Sequence, residues 1–294
     1  MIVVTAPTGQ IGRQVLGRLL AEGEHVRVIV RDAARLPAGA RERVEVVEGS
    51  HRDLDVVTKA FAGADAVFWL VPPNPRAESV EAAYLDFSRP ACEAFTAQGV
   101  ARVVGVSALG RGTAMAGKAG HVTATLALDD LIASTGVAYR ALALPSFMDN
   151  LLRQAETIRD RGVFTAPVSG DLRAPTCSTG DIAAVAAELL RDDTWTGVEE
   201  VPVLGPEDLS HDDMARIMSE VLGRPVRFQR VPDEDFRARL VGFGMTEAVA
   251  QSMLDMMRAK EAGLDNGVSR ASGGGSPTGF RQWCQEVLSP AVLA

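Results

Sequence analysis

The chain has 294 residues, 47% of them hydrophobic, which is enough to bury a sizeable core as one large domain or a domain with a small lobe. Thirty lysines and arginines against 38 aspartates and glutamates leave a net charge of −8 with no basic cluster, which excludes nucleic acid as a natural partner. The three cysteines, Cys92, Cys177 and Cys284, are too few and too scattered for a disulfide framework or a metal site.

The first half alternates short apolar runs with helical patterns. Strands are expected at 2–5, 25–30, 43–48, 66–71, 102–106 and 138–144, the fifth ended by Ser107. Helices are expected at 10–22, 53–61, 80–98 and 121–134. The strands are continuously apolar, as a parallel sheet covered on both faces requires. Beyond Pro145 the alternation fades. Helices are expected at 147–160, 179–190 and 212–222, the last capped by Ser210, with strands at 200–204 and 227–231. The stretch 233–262 reads as helical and Met-rich, 272–276 as a glycine-rich turn or linker, and 278–288 as a terminal helix. No apolar run is long enough to span a bilayer, and no basic leader precedes the first strand, so a soluble, cytoplasmic protein is expected.

The segment Thr5-Ala-Pro-Thr-Gly-Gln-Ile-Gly12 lies between the first strand and the first helix. Glycines there let backbone approach a pyrophosphate, toward which the helix N-terminal N–H groups point. Gly9 would permit that approach and Gly12 close helix–strand packing; Ala6 replaces the usual first glycine. An ordinary strand–turn–helix could carry the same glycines for packing, but a buried strand before and an amphipathic helix after favour a cofactor held by Thr8, Gly9, Gln10, Ile11 and Gly12. Arg31 follows the second strand, 19 residues after Gly12. Its planar fork suits a 2′-phosphate, which favours NADP(H); Asp32 beside it keeps NAD open.

The run Ile2 to Gly12, Val28-Ile-Val-Arg-Asp32 with Gly49, Phe68-Trp-Leu-Val-Pro-Pro73, Leu144-Pro-Ser-Phe-Met-Asp-Asn150 and Ser276 to Trp283 together resemble the NmrA-like family of atypical short-chain dehydrogenase/reductases. The resemblance implies a Rossmann-type, doubly wound α/β domain, a smaller C-terminal substrate-binding lobe and a cleft between them. We set the boundary at 146/147, with segments of about 178–222 packing back on the first domain. Family members include NADPH-dependent quinone, enone and isoflavone-type reductases. Others are redox sensors that bind NADP(H) without turnover, or enzymes coupling two aromatic units of polyketides. Two positions depart from the pattern: Ser50 stands where an Asp often follows Gly49, and Leu144 where an Arg often precedes the Pro.

Typical short-chain reductases use a Ser and a Tyr-x-x-x-Lys; here the residue four before Lys118 is Ala114, and the only tyrosines are Tyr84 and Tyr139. Ser107, Lys118 and His121 remain as catalytic candidates, each with a plainer alternative as strand terminator, exposed loop charge or first-turn polar residue. A histidine there could donate a proton or bind a phenolate. Val71 and Pro72 are expected at the cofactor, and Phe147, Met148 and Asn150 at the substrate, because they follow strand carboxyl ends. No metal is expected. The expected activity is hydride transfer to a quinone, enone or ketone of a small aromatic substrate. Aromatic coupling and NADP(H) sensing are the alternatives, and a homodimer is compatible with any of them.

Overall fold

The computed structural model describes residues 1–268, 270 and 277–294. The segment 272–276, read above as a turn or linker, lies outside them. The strands are β1 (Ile2–Val4), β2 (Val26–Val30), β3 (Glu45–Glu48), β4 (Ala66–Trp69), β5 (Arg102–Ala108), β6 (Ala138–Leu144), β7 (Ser146–Phe147), β8 (Val163–Ala166), β9 (Ala174–Cys177), β10 (Val198–Pro202), β11 (Asp208–Leu209) and β12 (Arg227–Arg230). The helices are α1 (Gln10–Ala21), α2 (Ala38–Arg41), α3 (Leu54–Phe61), α4 (Phe87–Ala97), α5 (His121–Ala133), α6 (Ala155–Arg161), α7 (Thr179–Arg191), α8 (His211–Leu222), α9 (Asp233–Gly242), α10 (Glu247–Glu261), α11 (Phe280–Trp283) and α12 (Ser289–Leu293).

Seven strands form one sheet in the order β10-β6-β5-β4-β1-β2-β3, and every pairing in it is parallel. Alternate side chains of one strand serve different cores. Val4, Val28 and Val104 face α1 and α7, where Val15, Leu16, Leu19, Ile182 and Ala186 close the layer. Val3, Val67 and Val103 face α3, α4 and α5 through Phe61, Phe95, Leu128 and Ile132. This is the doubly wound α/β arrangement. The strand order reverses between β1 and β4, so the crevice for a ligand opens beyond their carboxyl ends.

The second half supplies a smaller layer: a sheet in the order β11-β9-β7 and a parallel β8–β12 pair. Its core gathers Ile158, Phe164, Met214, Ile217, Met218, Phe280, Trp283 and Leu288. The stretch 178–222 divides between the layers. Helix α7 lies on α1 and β10 joins β6, whereas α8 buries Met214 and Met218 against the C-terminal helices.

Several expectations from the sequence need correction, among them the terminal helix 278–288, which divides into α11, a π-type turn over Cys284–Leu288 and α12. Ser107 lies inside β5, which runs on to Ala108 because Ser107 and Ala108 still pair with Ala143 and Leu144. The stretch 80–98 is not one regular helix, since a π-type turn spans Ala82–Asp86 before α4. Residues 147–160 are not one helix: Ser146 and Phe147 pair with Thr176 and Cys177, and a 3₁₀ turn spans Met148–Gln154 before α6 begins. That turn is held by Asp149, whose carboxylate accepts from Thr179 Oγ1 at 2.7 Å and Thr179 N at 3.0 Å. Finally, 233–262 breaks into α9 and α10. Gly244 at the break has φ +88°, a left-handed conformation that favours glycine. Thr246 then caps α10 and ties it to the loop after β4, donating from N to Pro75 O at 2.9 Å and from Oγ1 to Ala77 O at 2.8 Å.

His211 sits between Phe164 and Phe228, and its buried Nδ1 has no hydrogen-bond partner among the described residues. Burial lowers its pKa from 6.5 to about 4. The folded chain therefore holds the ring neutral. Its contribution is intact above pH 6.5 and is lost as pH falls toward 4, because the unfolded chain binds the proton more readily. Between pH 6.5 and 4.5, His211→Leu should flatten the fall of stability by about 1.4 kcal/mol per pH unit. Urea unfolding of both proteins across that range checks it, and parallel curves count against the assignment.

Candidate functional site

The turn after β1 is built from backbone contacts. Thr5 is buried; its Oγ1 donates to Phe68 O and accepts from Leu70 N, both at 2.9 Å, so the ends of β1 and β4 are clamped together. Ala6 follows with φ +49°, the left-handed conformation that a glycine usually supplies there. For a residue with a Cβ this conformation costs about 1–2 kcal/mol. It turns the Ala6 carbonyl under α1, where it accepts from Gly9 N at 3.0 Å. A Cβ on Gly12 would stand 2.1 Å from that carbonyl oxygen, so only glycine fits. Gly9 is the N-cap of α1 and offers no side-chain cap. The amides of Gln10, Ile11 and Gly12 meet no backbone acceptor among the described residues. Thr8 is half-buried beside them, and Gln10 is exposed. An uncapped helix N-terminus of this kind carries partial positive charge and aims its donors at an anion.

Beyond β2, Arg31 is exposed and has no hydrogen bond or ion pair among the described residues. Asp32 is engaged locally, its carboxylate accepting from Ala34 N at 2.9 Å, and Glu48 accepts from Ala33 N at 3.0 Å. The acid that could hold a ribose diol is thus turned into its own loop, while the guanidinium stays free.

His51 carried no signal in the sequence, yet it braces this rim. The ring lies edge-on to Trp69 at 5.3 Å and Phe87 at 4.9 Å, and its Nε2 is 3.2 Å from Leu70 O. Because a carbonyl only accepts, Nε2 carries the hydrogen. Burial, with a smaller effect from the nearby Arg31 charge, lowers its pKa to about 4 against the upward pull of the Leu70 hydrogen bond. Val71 and Pro72, both half-buried, continue from this point.

The three catalytic candidates part company. Ser107 is buried and donates to Asp129 Oδ2, while Tyr139 donates to Asp129 Oδ1 at 2.7 Å. Burial pushes the Asp129 pKa up to about 6, opposed by those two hydrogen bonds and by Arg111. The Ser107 hydroxyl therefore faces a buried acid under α5. Lys118 is exposed at the end of a 3₁₀ turn, Ala116–Lys118. His121 opens α5, half-buried, with its Nδ1 2.9 Å from Ser252 Oγ of α10 and its ring edge-on to Tyr84 at 6.2 Å. Tyr84 belongs to the π-type turn before α4, a feature often found at functional sites. The structure so joins His121, Tyr84 and Ser252, of which spacing in the sequence pointed only to His121. A tyrosine 37 positions upstream and a serine 131 downstream give no local pattern.

Of the substrate candidates, Phe147 is half-buried at the end of β7, Met148 is buried in the core of the smaller layer, and Asn150 is exposed. A hollow of about 260 Å³ lies between α1 and α2, lined by Pro7, Arg13, Leu16 and Pro37 among others. A second, of about 370 Å³, lies at the opposite end of the sheet beside Met1 and Asp65. Neither touches His121. Among the described residues no helix is long and apolar enough to cross a membrane, and no cluster of acidic, His or Cys side chains could hold a metal ion.

The NmrA-like family profile matches residues 1–274. The chain is 31% identical over 294 residues to a (4-alkanoyl-5-oxo-2,5-dihydrofuran-3-yl)methyl phosphate reductase of Streptomyces griseus, covering 97% of each protein. It is 30% identical over 259 residues to an NAD(P)H azoreductase of Xenophilus azovorans, covering 87% of this chain and 86% of that protein. Among solved structures, the NADPH complex of a quinone oxidoreductase of Escherichia coli superposes with a TM-score of 0.80 at 22% identity, over 96% of this chain and 98% of that one.

Gly12→Ala tests the turn. The added methyl forces α1 off the Ala6 carbonyl. Dinucleotide affinity should fall at least tenfold in calorimetry, with a lower Tm; unchanged affinity would mean that the turn does not bind.

Proposed function

This chain belongs to the NmrA-like family, and from that premise we propose that it is an NADP(H)-dependent reductase acting on a quinone, enone or ketone of a small aromatic substrate. The observation that carries the reading is the set of free amides at Gln10, Ile11 and Gly12, together with an exposed, unpaired Arg31 just after β2. Those amides fit a pyrophosphate, and the Arg31 fork fits a 2′-phosphate. Asp32, engaged with Ala34 N, offers little to an unphosphorylated ribose. Two relatives at 30% and 31% identity are named as reductases, which supports turnover over mere binding.

Bound NADP(H) would supply the hydride. The chain's own residues bind, orient and exclude water. Thr8, Gly9, Gln10, Ile11 and Gly12 hold the pyrophosphate, Arg31 the phosphate that distinguishes NADP(H), and Val71 and Pro72 the rim beyond β4. Phe147 and Asn150 shape the substrate side, and Met148, buried in the core of the smaller layer, acts only by packing. His121 contacts the substrate, and Lys118, an exposed charge, assists binding. Ser107 acts at one remove, by satisfying Asp129 under α5. A quinone that takes up a hydride and one proton leaves as a hydroquinone, and solvent water can deliver that proton.

One observation favours a second reading, a sensor that binds NADP(H) without turnover: the two hollows above lie away from His121. Steady-state assays with NADPH and a panel of quinones and enones separate the two. Cofactor oxidation matched by reduced product supports the reductase; tight binding with neither supports the sensor. In the same assays Arg31→Ala should weaken NADPH by tenfold or more and NADH hardly at all. Equal losses for both would remove Arg31 from the 2′-phosphate.

A further inference from the structure

Leu70, just after β4, is held from two sides. Its N–H donates to Thr5 Oγ1 at 2.9 Å, one residue before the Ala6 turn, and its carbonyl lies 3.2 Å from His51 Nε2. From there the chain runs Val71-Pro72-Pro73-Asn74-Pro75. Three prolines in four positions lock φ and make this segment a stiff strap. Asn74 closes its far end, Oδ1 accepting from Arg76 N at 3.1 Å and the carbonyl from Ala77 N at 3.2 Å. That end meets α10. Thr246 N donates to Pro75 O at 2.9 Å, and Thr246 Oγ1 donates to Ala77 O at 2.8 Å while accepting from Val249 N at 3.3 Å. One hydroxyl therefore both caps α10 and ties it to the strap. Ala77, Val80 and Val249 bury the joint.

The corner that receives this tie is weakly held otherwise. Helix α9 has no buried residue, and Phe243 at its end is 78% exposed. Its ion pairs Arg237–Glu247 and Asp233–Arg258 run only to α10. Segments with few buried contacts open at low cost in free energy, so a small bias decides their order. Further along, α10 carries the tie to α5. A Cβ on Gly120 would stand 2.0 Å from the Ser252 carbonyl oxygen, so the helix lies directly on the first turn of α5, and Ser252 Oγ is 2.9 Å from His121 Nδ1.

We propose that Thr246 is a positioning residue through which NADP(H) bound at the Ala6 turn orders the α9–α10 corner, with the proline strap 71–75 as the coupling element. The inference rests on the reading of Val71 and Pro72 as part of the cofactor rim. A dinucleotide that contacts Val71 and Pro72 fixes the strap along its length, because the strap is already anchored at Leu70. Thr246 passes that restraint to the first turn of α10. The effect is reciprocal: a corner held in place favours the bound cofactor. Cofactor binding thereby sets the helix beside His121 ahead of the substrate.

The test is hydrogen exchange of the full chain over residues 244–252, with and without saturating NADP⁺. We expect NADP⁺ to slow exchange there by about fivefold or more in the unaltered protein and in Thr246→Ser, which keeps the hydroxyl. Thr246→Asp separates the tie from the cap, because a carboxylate still accepts from Val249 N but cannot donate to Ala77 O. In that variant the slowing should drop below about twofold, and the loss of NADP⁺ affinity in calorimetry should not exceed the factor by which exchange had slowed. A larger loss places Thr246 in the cofactor site itself and overturns the proposal, as does equal slowing in Thr246→Asp. No slowing in the unaltered protein, with NADP⁺ shown bound by calorimetry, overturns the coupling alone, whether or not the variant folds. No calorimetric binding at all fails the cofactor reading, and the coupling with it.

Discussion

The contact between Gly12 and the Ala6 carbonyl governs the rest of this molecule. It brings the start of α1 onto the end of β1 at the point where the strand order reverses. Because no side chain intervenes, the first-turn amides of α1 stay free and converge on the crevice. Ala6 makes the contact in a left-handed conformation that its own Cβ disfavours. The neighbouring clamp of Thr5 on Phe68 and Leu70 supplies hydrogen bonds that hold the turn in place. The strain lies at the anion-binding turn and the compensation lies in the sheet below it, as is common where a backbone must approach a ligand closely.

The same logic of backbone approach recurs where α10 meets α5 and the loop after β4. At Gly120 a missing Cβ admits the Ser252 carbonyl, and at the α9–α10 corner Thr246 binds the backbone of the loop after β4. Together these bring α10 across the carboxyl ends of the sheet. The polar groups near the crevice are then sorted by what they face. Ser107 looks into a buried acid, His121 and Tyr84 meet edge-on, and Lys118 and Arg31 look out to solvent.

Much of this was legible in the sequence because periodicity and turn chemistry act locally. The apolar runs around Val3, Val28, Val67, Val103 and Ala141 could only be strands buried on both faces. Ser210 before Asp213 announced the cap of α8, and the two form a capping box. What was not legible depends on partners far along the chain. The strand and 3₁₀ turn at 146–154 replace a helical pattern because Thr176, Cys177 and Thr179 bind them from a distance. Ser107 looked catalytic by position, since nothing local reveals that Asp129 lies beneath it. Tyr84 looked misplaced for the complementary reason: a π-type turn rotates it toward a helix that follows 37 residues later.

The central claim is that three bare amides bind the linked phosphates of a dinucleotide, and amide NMR reads those groups directly. On titration with NADP⁺, the Gln10, Ile11 and Gly12 amide resonances should move further than those of any residue in α7 or α8, and inorganic pyrophosphate should displace them in the same direction. Saturating NADP⁺ that leaves those three resonances in place would contradict the account.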